Sequence, residues 1–86
     1  MAILVTGAAG FIGAAVSKTL LERSDAVVGL DSLNDYYDVV LKQARLERLE
    51  ALPTFTFECG DIADRDLLPE LFKKHQIHAV IHLAAQ

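Results

Sequence analysis

The 86-residue sequence predicts an α/β fold built around a parallel sheet. Short β-branched runs alternate with longer segments of helical periodicity, which is typical of βαβ units. The first two runs are apolar almost throughout, as expected of strands that helices cover on both faces. Right-handed crossovers between such strands place them in the order 3-2-1-4. We therefore expect four parallel strands flanked by three helices.

The strands are predicted from short runs rich in β-branched, aliphatic or aromatic residues. They lie at residues 2–6, 26–30, 54–59 and 79–83. Each of the first three is followed by glycine or by small polar residues, which are typical of turns. The sheet therefore takes up roughly a quarter of the chain, a usual share for a globular domain.

The first two helices are predicted from apolar periodicity. The first runs from near Phe11 to about Arg23. Its apolar stripe consists of Ile12, Ala15, Val16 and Leu20. The second runs from about residue 36 to residue 52, because Pro53 cannot continue a helix. Charges of alternating sign over residues 42–50 predict that this part of the second helix faces solvent.

The third helix begins after a pair of aspartates, Asp64 and Asp66, and either could cap it. Pro69 distinguishes between them. Proline is tolerated in the first helical turn but removes a hydrogen bond further along. We therefore predict Asp66 as the cap. The apolar face of this helix consists of Leu67, Leu68, Leu71 and Phe72.

Composition excludes several classes of protein. Eight basic and 12 acidic residues give a net charge of −4, and the basic residues form no cluster, so we expect no nucleic-acid partner. No apolar run approaches the roughly 18 residues of a membrane span, so we expect no membrane contact. A single cysteine and an N-terminus without a basic signal-peptide region favour a cytoplasmic location.

The most informative segment has the spacing GxxGxxG and joins the first strand to the first helix. Gly7 suits a tight turn, Gly10 leaves room for a diphosphate, and Gly13 permits close contact between helix and strand. The helix that follows directs free N–H groups and its positive end at the same place. The segment predicts a phosphate-binding site, although three glycines so close together also occur in ordinary turns.

Asp31 ends the second strand, 18 residues after Gly13. A carboxylate at this position can accept hydrogen bonds from both ribose hydroxyls of an adenosine and would repel the 2′-phosphate of NADP, so NAD is favoured. The alternative is that Asp31 caps the following turn through Ser32 and Asn34.

Two further segments end strands at the same edge of the predicted sheet. Asp61 follows the third strand and could meet an adenine amine, or serve only in a turn. After the fourth strand, small residues at 84 and 85 could lie against a cofactor or simply pack. We expect Cys59 to be a buried small residue. We expect no metal site, because His78 and His82 lie about 13 Å apart along a strand.

Taken together, the motifs resemble the extended short-chain dehydrogenase/reductase family of nucleotide-sugar enzymes. They are TGAAGFIG at residues 6–13, DSLNDYYD at 31–38, GDI at 60–62 and HLAAQ at 82–86. The stretch LNDYYD followed by LKQARL is most similar to UDP-glucuronate 4-epimerases. The resemblance implies a partial Rossmann fold. It covers the whole chain but only about the first quarter of a family member, which would leave the catalytic and substrate-binding segments outside residues 1–86.

The resemblance also implies cofactor contacts. The diphosphate contacts would be Gly7, Gly10, Phe11, Ile12 and Gly13. The adenosine contacts would be Asp31, Ser32 and Asn34 at the ribose, with Asp61 and Ile62 at the adenine. The contacts toward the nicotinamide ribose would be Leu83, Ala84 and Ala85. In such enzymes, bound NAD takes hydride from the sugar C4 and returns it to the other face, while a YxxxK tyrosine and a nearby Ser or Thr move the proton.

That YxxxK motif does not occur here, because Val40 and Leu41 stand four residues after Tyr36 and Tyr37. We therefore expect no catalytic residue within the chain and no epimerisation by residues 1–86 alone. A 4,6-dehydratase, another sugar epimerase and a non-catalytic NAD-sensing module remain alternatives. We also expect the unpaired edge of the fourth strand to promote self-association.

Overall fold

The computed structural model describes residues 2–32 and 39–83. These form strands β1 (Ala2–Thr6), β2 (Ala26–Asp31), β3 (Phe55–Cys59) and β4 (Ile77–His82), and helices α1 (Phe11–Glu22), α2 (Val39–Glu50) and α3 (Leu67–His75). All strand pairs are parallel, and the order across the sheet is β3-β2-β1-β4. The predicted fold class and strand order are confirmed.

The apolar residues form two separate cores, one on each face of the sheet. On the first face, α1 and α2 pack over β1, β2 and β3; this core includes Val5, Leu20, Leu21, Val27, Leu46, Leu49 and Phe55. On the second face, α3 packs over the sheet; this core includes Ala2, Leu4, Val28, Leu30 and Leu71. The central strand β1 contributes to both cores, which explains its nearly continuous apolar sequence.

The boundaries of two elements differ from the prediction by more than one residue. β4 begins at Ile77, two residues early, because Ile77 pairs with Ala2 across a register shift and packs against the core under α3. α2 ends at Glu50 and not directly before Pro53, because residues 51–54 form a turn. The predicted start of this helix near residue 36 lies outside the described residues.

The predicted cap of α3 is wrong in one respect. Asp66 does precede the helix, but its side chain makes no capping hydrogen bond to the described residues. The backbone of Asp66 has helical angles (φ −88°, ψ −19°), whereas a capping side chain needs an extended residue. The residue that organises this turn is Asp64, whose Oδ1 accepts the N–H of Asp66 at 3.0 Å and whose main-chain oxygen accepts that of Leu67 at 3.2 Å.

Cys59 is exposed, so its predicted burial is wrong. It is the last residue of β3, which lies at the edge of the sheet. Among the helices of residues 2–32 and 39–83, none is long and apolar enough to cross a membrane. Across the same ranges, no three side chains of His, Cys, Asp or Glu are grouped so that they could hold a metal ion.

Candidate functional site

The strands end at the carboxyl edge of the sheet, where open parallel sheets bind their ligands. Main-chain hydrogen bonds join the segments that follow β1, β3 and β4 to a neighbouring strand. The N–H of Gly7 donates to the oxygen of Leu30 at 2.8 Å, and that of Gly60 donates to the oxygen of Asp31 at 3.2 Å. The N–H of Leu83 donates to the oxygen of Thr6, also at 3.2 Å. The loop positions are therefore fixed by the sheet itself.

The glycine-rich turn has the geometry that its spacing predicts. Gly7 has a φ of 72°, in the left-handed region that favours glycine. A Cβ on Gly13 would lie only 2.0 Å from the main-chain oxygen of Gly7, so the start of α1 touches the turn backbone directly. The turn is closed by the N–H of Gly10, which donates to the oxygen of Gly7 at 3.0 Å. Ala8 and Ala9, the two middle residues of the turn, are completely buried.

The first turn of α1 presents main-chain N–H groups at this edge. The first N–H groups of an α-helix have no partner within the helix, and Gly10, which precedes α1, has no side chain to cap them. Phe11 and Ile12, the first two residues of α1, are 77% and 63% exposed, and their N–H groups are among those without a partner inside the helix. The positive end of the helix therefore makes this turn suitable for an anionic group such as a phosphate.

Asp31 lies beside the turn and is buried, with 6% of its surface exposed. Its Oδ2 accepts the main-chain N–H of Ala9 at 3.1 Å, and its Oδ1 lies 3.3 Å from Nζ of Lys42. The predicted ribose-binding carboxylate and the predicted phosphate turn are thus in direct contact. The alternative role of Asp31 as a cap involves Asn34, which lies outside the described residues.

Two basic residues of α2 belong to the site, although the sequence placed them on a solvent-facing surface. The side chain of Lys42 is only 15% exposed because it reaches Asp31. One helical turn later, Nη1 of Arg45 donates to the main-chain oxygen of Ala9 at 3.2 Å, and its guanidinium lies 5.8 Å from the ring centroid of Phe11.

The prediction of a solvated face holds for Glu47, Arg48 and Glu50, which are exposed. It is wrong for Lys42 and Arg45, because alternation of charge along the sequence does not show which way each side chain of a helix faces. Their spacing by three, which places them on one side of the helix, was the available signal.

Some of the remaining predicted contact residues are described by the structure and others are not. Oδ1 of Asp61 accepts the N–H of Ala63 at 2.9 Å, so the turn role considered for Asp61 is present. Ser32 and Ile62 are partly buried at the same edge, and Leu83 follows β4 there. The predicted contacts outside the described residues are Asn34, Ala84 and Ala85.

A buried threonine fixes the end of β4 beside the glycine-rich turn. Thr6 is fully buried, and its Oγ1 accepts the N–H of Leu83 at 2.9 Å. The same oxygen lies 2.7 Å from Nδ1 of His82. Sequence reasoning missed this arrangement, because nothing in the pattern shows that residues 76 positions apart share a hydrogen bond.

Comparison with known proteins shows which family this chain is similar to. A family model described as GDP-mannose 4,6 dehydratase matches residues 4–86. UDP-glucuronate 4-epimerase 4 of Arabidopsis thaliana is 55% identical over 84 residues, covering 98% of this chain and 19% of the plant protein.

Two solved structures are similar in fold. UDP-glucuronic acid 4-epimerase from Bacillus cereus, in complex with UDP-glucuronic acid and NAD, has a TM-score of 0.86 and 41% identity, covering 99% of this chain and 26% of that one. dTDP-glucose 4,6-dehydratase from Bacillus anthracis, in complex with NAD, has a TM-score of 0.87 and 27% identity, covering 100% and 27%.

The chain spans about a fifth of the length of the curated relatives that it matches. The match to the family model nevertheless extends over nearly the whole of it. The chain therefore belongs to the GDP-mannose 4,6 dehydratase family, among the short-chain dehydrogenase/reductases of nucleotide sugars that its motifs resemble.

Proposed function

We propose that this chain binds NAD at the carboxyl edge of its sheet and forms the cofactor-binding part of a nucleotide-sugar 4-epimerase. The observation that carries the proposal is the contact between Asp31 and the glycine-rich turn, 3.1 Å from Oδ2 to the N–H of Ala9. It brings together a carboxylate suited to a ribose and N–H groups suited to a diphosphate. A dinucleotide needs both the carboxylate and the N–H groups, whereas the N–H groups alone would equally suit a simple anion.

The residues present fit this cofactor. The turn backbone is bare where a diphosphate would approach, and the N–H groups of Phe11 and Ile12 would hold it. Asp31 would accept the ribose hydroxyls, with Ser32 and Asn34 beside it. The adenine contacts would be Asp61 and Ile62, and the nicotinamide ribose contacts would be Leu83, Ala84 and Ala85. NAD supplies a hydride acceptor; this chain's residues bind and orient it.

The substrate pair that we propose is UDP-glucuronate and UDP-galacturonate. Support comes from the 55% identity to a plant UDP-glucuronate 4-epimerase and from the fold shared with the Bacillus cereus enzyme. No YxxxK motif occurs in the 86 residues, so we expect the chain to bind cofactor without moving the proton that epimerisation requires.

A sugar 4,6-dehydratase is the second candidate. It is favoured by the description of the matching family model and by the TM-score of 0.87 to a dTDP-glucose 4,6-dehydratase. A non-catalytic module that senses NAD would share the same cofactor site, and it differs from both enzymes in having no sugar product.

The test is to purify the complete gene product and to measure NAD binding by calorimetry and sugar products by NMR. We expect saturable NAD binding and interconversion of the two UDP-uronates. Formation of a 4-keto-6-deoxy sugar from a nucleotide hexose would replace the epimerase by the dehydratase. NAD binding without turnover of any nucleotide sugar would support the sensing module, and failure to bind NAD would remove the whole proposal.

The edge strand β4 suggests a second partner for the 86-residue chain, namely another copy of itself. β4 pairs with β1 on one side and is the outermost strand of the described sheet. Val80 in the middle of it is 47% exposed. Apolar edge strands promote pairing between chains, so we propose self-association of the 86-residue chain through this edge.

A further inference from the structure

We propose that Lys42 determines cofactor specificity together with Asp31: it donates a hydrogen bond to a ribose hydroxyl oxygen, and it becomes the anchor for a 2′-phosphate once the negative charge of Asp31 is removed. This inference rests on the proposed binding of NAD. It assigns a role to Lys42 of α2, which lies outside both the glycine-rich turn and the strand ends.

The first step is the position of the ammonium group. Nζ of Lys42 lies 3.3 Å from Oδ1 of Asp31, and the two side chains are 15% and 5% exposed. A lysine on a solvated helix face would extend into water. Here the ammonium group is held beside the one carboxylate suited to the ribose, so any group bound by Asp31 on this side also lies within reach of Lys42.

The second step is the hydrogen-bonding chemistry of the pair. An ionised carboxylate only accepts hydrogen bonds, and an ammonium group only donates them, with three N–H groups available. A hydroxyl does both. A ribose hydroxyl can therefore donate to Asp31 while its oxygen accepts from Lys42, which satisfies both charged groups at once. An aliphatic hydrogen in place of that hydroxyl would form neither of these two bonds.

The third step is that α2 is fixed in place. Arg45, three residues after Lys42, donates to the oxygen of Ala9 at 3.2 Å. The N–H of Ala9 donates to Oδ2 of Asp31 at 3.1 Å. Ala9 is therefore bound on both sides, by the strand end through Asp31 and by α2 through Arg45. This arrangement fixes α2 against the turn and keeps Lys42 beside Asp31.

The fourth step is the charge balance. Asp31 and Lys42 together carry no net charge, which suits a neutral diol. Replacing Asp31 by asparagine keeps an acceptor for the N–H of Ala9 but leaves the positive charge of Lys42 alone. A phosphate on the ribose 2′ position would then meet an attractive partner in place of a repulsive carboxylate.

The experiment measures dissociation constants for NAD, 2′-deoxy-NAD, 3′-deoxy-NAD and NADP by calorimetry, using the complete gene product. The variants are Lys42→Met, Lys42→Arg, Asp31→Asn and the double variant Asp31→Asn with Lys42→Met. Lys73→Met, an exposed lysine of α3 on the other face of the sheet, is the matched control. Thermal unfolding of each variant reports whether it is folded.

We expect Lys42→Met to weaken NAD binding about tenfold, which is about 1.4 kcal/mol, and Lys42→Arg to recover most of it. The affinity difference between NAD and at least one deoxy analogue should shrink in Lys42→Met. Asp31→Asn should raise the affinity for NADP relative to NAD at least tenfold, and the double variant should lose that gain.

Three results would overturn the inference while leaving the proposed function intact. They are unchanged NAD affinity in folded Lys42→Met, an NADP gain that persists in the double variant, and equal losses of affinity for NAD and both deoxy analogues, which would make Lys42 a structural residue. Failure of the parent protein to bind NAD would instead overturn the proposed function, and this inference with it.

Discussion

The main-chain N–H of Ala9 donates a hydrogen bond of 3.1 Å to Oδ2 of Asp31, across 22 positions of sequence. The bond is buried, so it competes little with water. It joins the end of β2 to the glycine-rich turn after β1. A change at Asp31 therefore alters the ribose position and the shape of the phosphate turn together.

Asp31→Ala should weaken NAD binding at least tenfold, because it removes the proposed ribose acceptor and leaves the buried N–H of Ala9 without its partner. The same substitution should lower the free energy of unfolding by about 1–3 kcal/mol. Calorimetry and thermal unfolding measure the two effects. Asp25→Ala, just before β2 and thus at the opposite edge of the sheet, is the control. Parent-like NAD affinity in Asp31→Ala would contradict the role.

Gly13→Ala should destabilise the protein by about 3 kcal/mol, despite the higher helix propensity of alanine. The added Cβ would lie 2.0 Å from the oxygen of Gly7, which is backbone and cannot move aside cheaply. Gly10→Ala is the matched comparison, since its Cβ would lie 3.3 Å from the same oxygen. Chemical denaturation should show a clearly larger loss for Gly13→Ala, and equal losses would show that close packing at Gly13 is unimportant.

Ser17→Ala should stabilise the protein. Ser17 of α1 is fully buried, and within residues 2–32 and 39–83 its Oγ has no hydrogen-bond partner. Removing an unsatisfied hydroxyl should contribute about 1 kcal/mol, in addition to the gain in helix propensity. Thr19→Ala, exposed on the same helix, is the comparison: it gains helix propensity but loses the hydrogen bond of 3.1 Å from its Oγ1 to the oxygen of Ala15. A melting temperature for Ser17→Ala no higher than that of Thr19→Ala would contradict the prediction.

Glu58→Gln should change how stability depends on pH. A hydrogen bond from His75 at 2.6 Å, and then one from Lys74 at 2.9 Å, lower the pKa of the Glu58 carboxyl below its ordinary value. A lowered pKa adds stability that is fully present above the unfolded-state pKa of about 4.5 and is lost as the pH falls through the folded-state value.

At pH 7, Glu58→Gln should therefore be less stable than the parent by about 1 kcal/mol, and the two should converge as the pH falls from 4.5 through the lowered folded-state pKa of Glu58. Urea denaturation across this pH range measures the difference. Glu47→Gln, on the exposed surface of α2, should follow the parent throughout. A constant difference between Glu58→Gln and the parent at all pH values would exclude the proposed linkage.

Val80→Lys should reduce self-association of the 86-residue chain, because a charge on an apolar edge strand opposes pairing. Sedimentation over a wide concentration range measures the effect. Val40→Lys, at a 78% exposed position of α2, adds the same charge away from the edge. A parent chain that stays monomeric at all concentrations would show that β4 does not recruit a second copy.

The sequence predicts the sheet well because the strand pattern is local and handedness leaves few topologies. β1 agrees at both ends, and β2 differs by a single residue. The early start of β4 could not be predicted, because Ile77 belongs to the strand only through its pairing with Ala2. Local periodicity contains no information about a register shift between distant strands.

The candidate site was predicted in part. The turn glycines and Asp31 follow from spacing, because tight turns and close backbone contacts restrict the residue type. Lys42 and Arg45 were missed, because their long side chains are acceptable on any helix surface. Only the packing of α2 against the turn directs them inward. Residues that depend on tertiary orientation in this way are the hardest to find from one sequence.

The strand order has a consequence for synthesis. β1 precedes β2 and β4 in the sequence but lies between them in the sheet, so one of its hydrogen-bonding edges stays open until residues 77–82 have been made. β1 is apolar, and an apolar open edge is prone to wrong pairing. The glycine-rich turn can be shaped early by β2, whereas the second edge of β1 is covered only when β4 has been made.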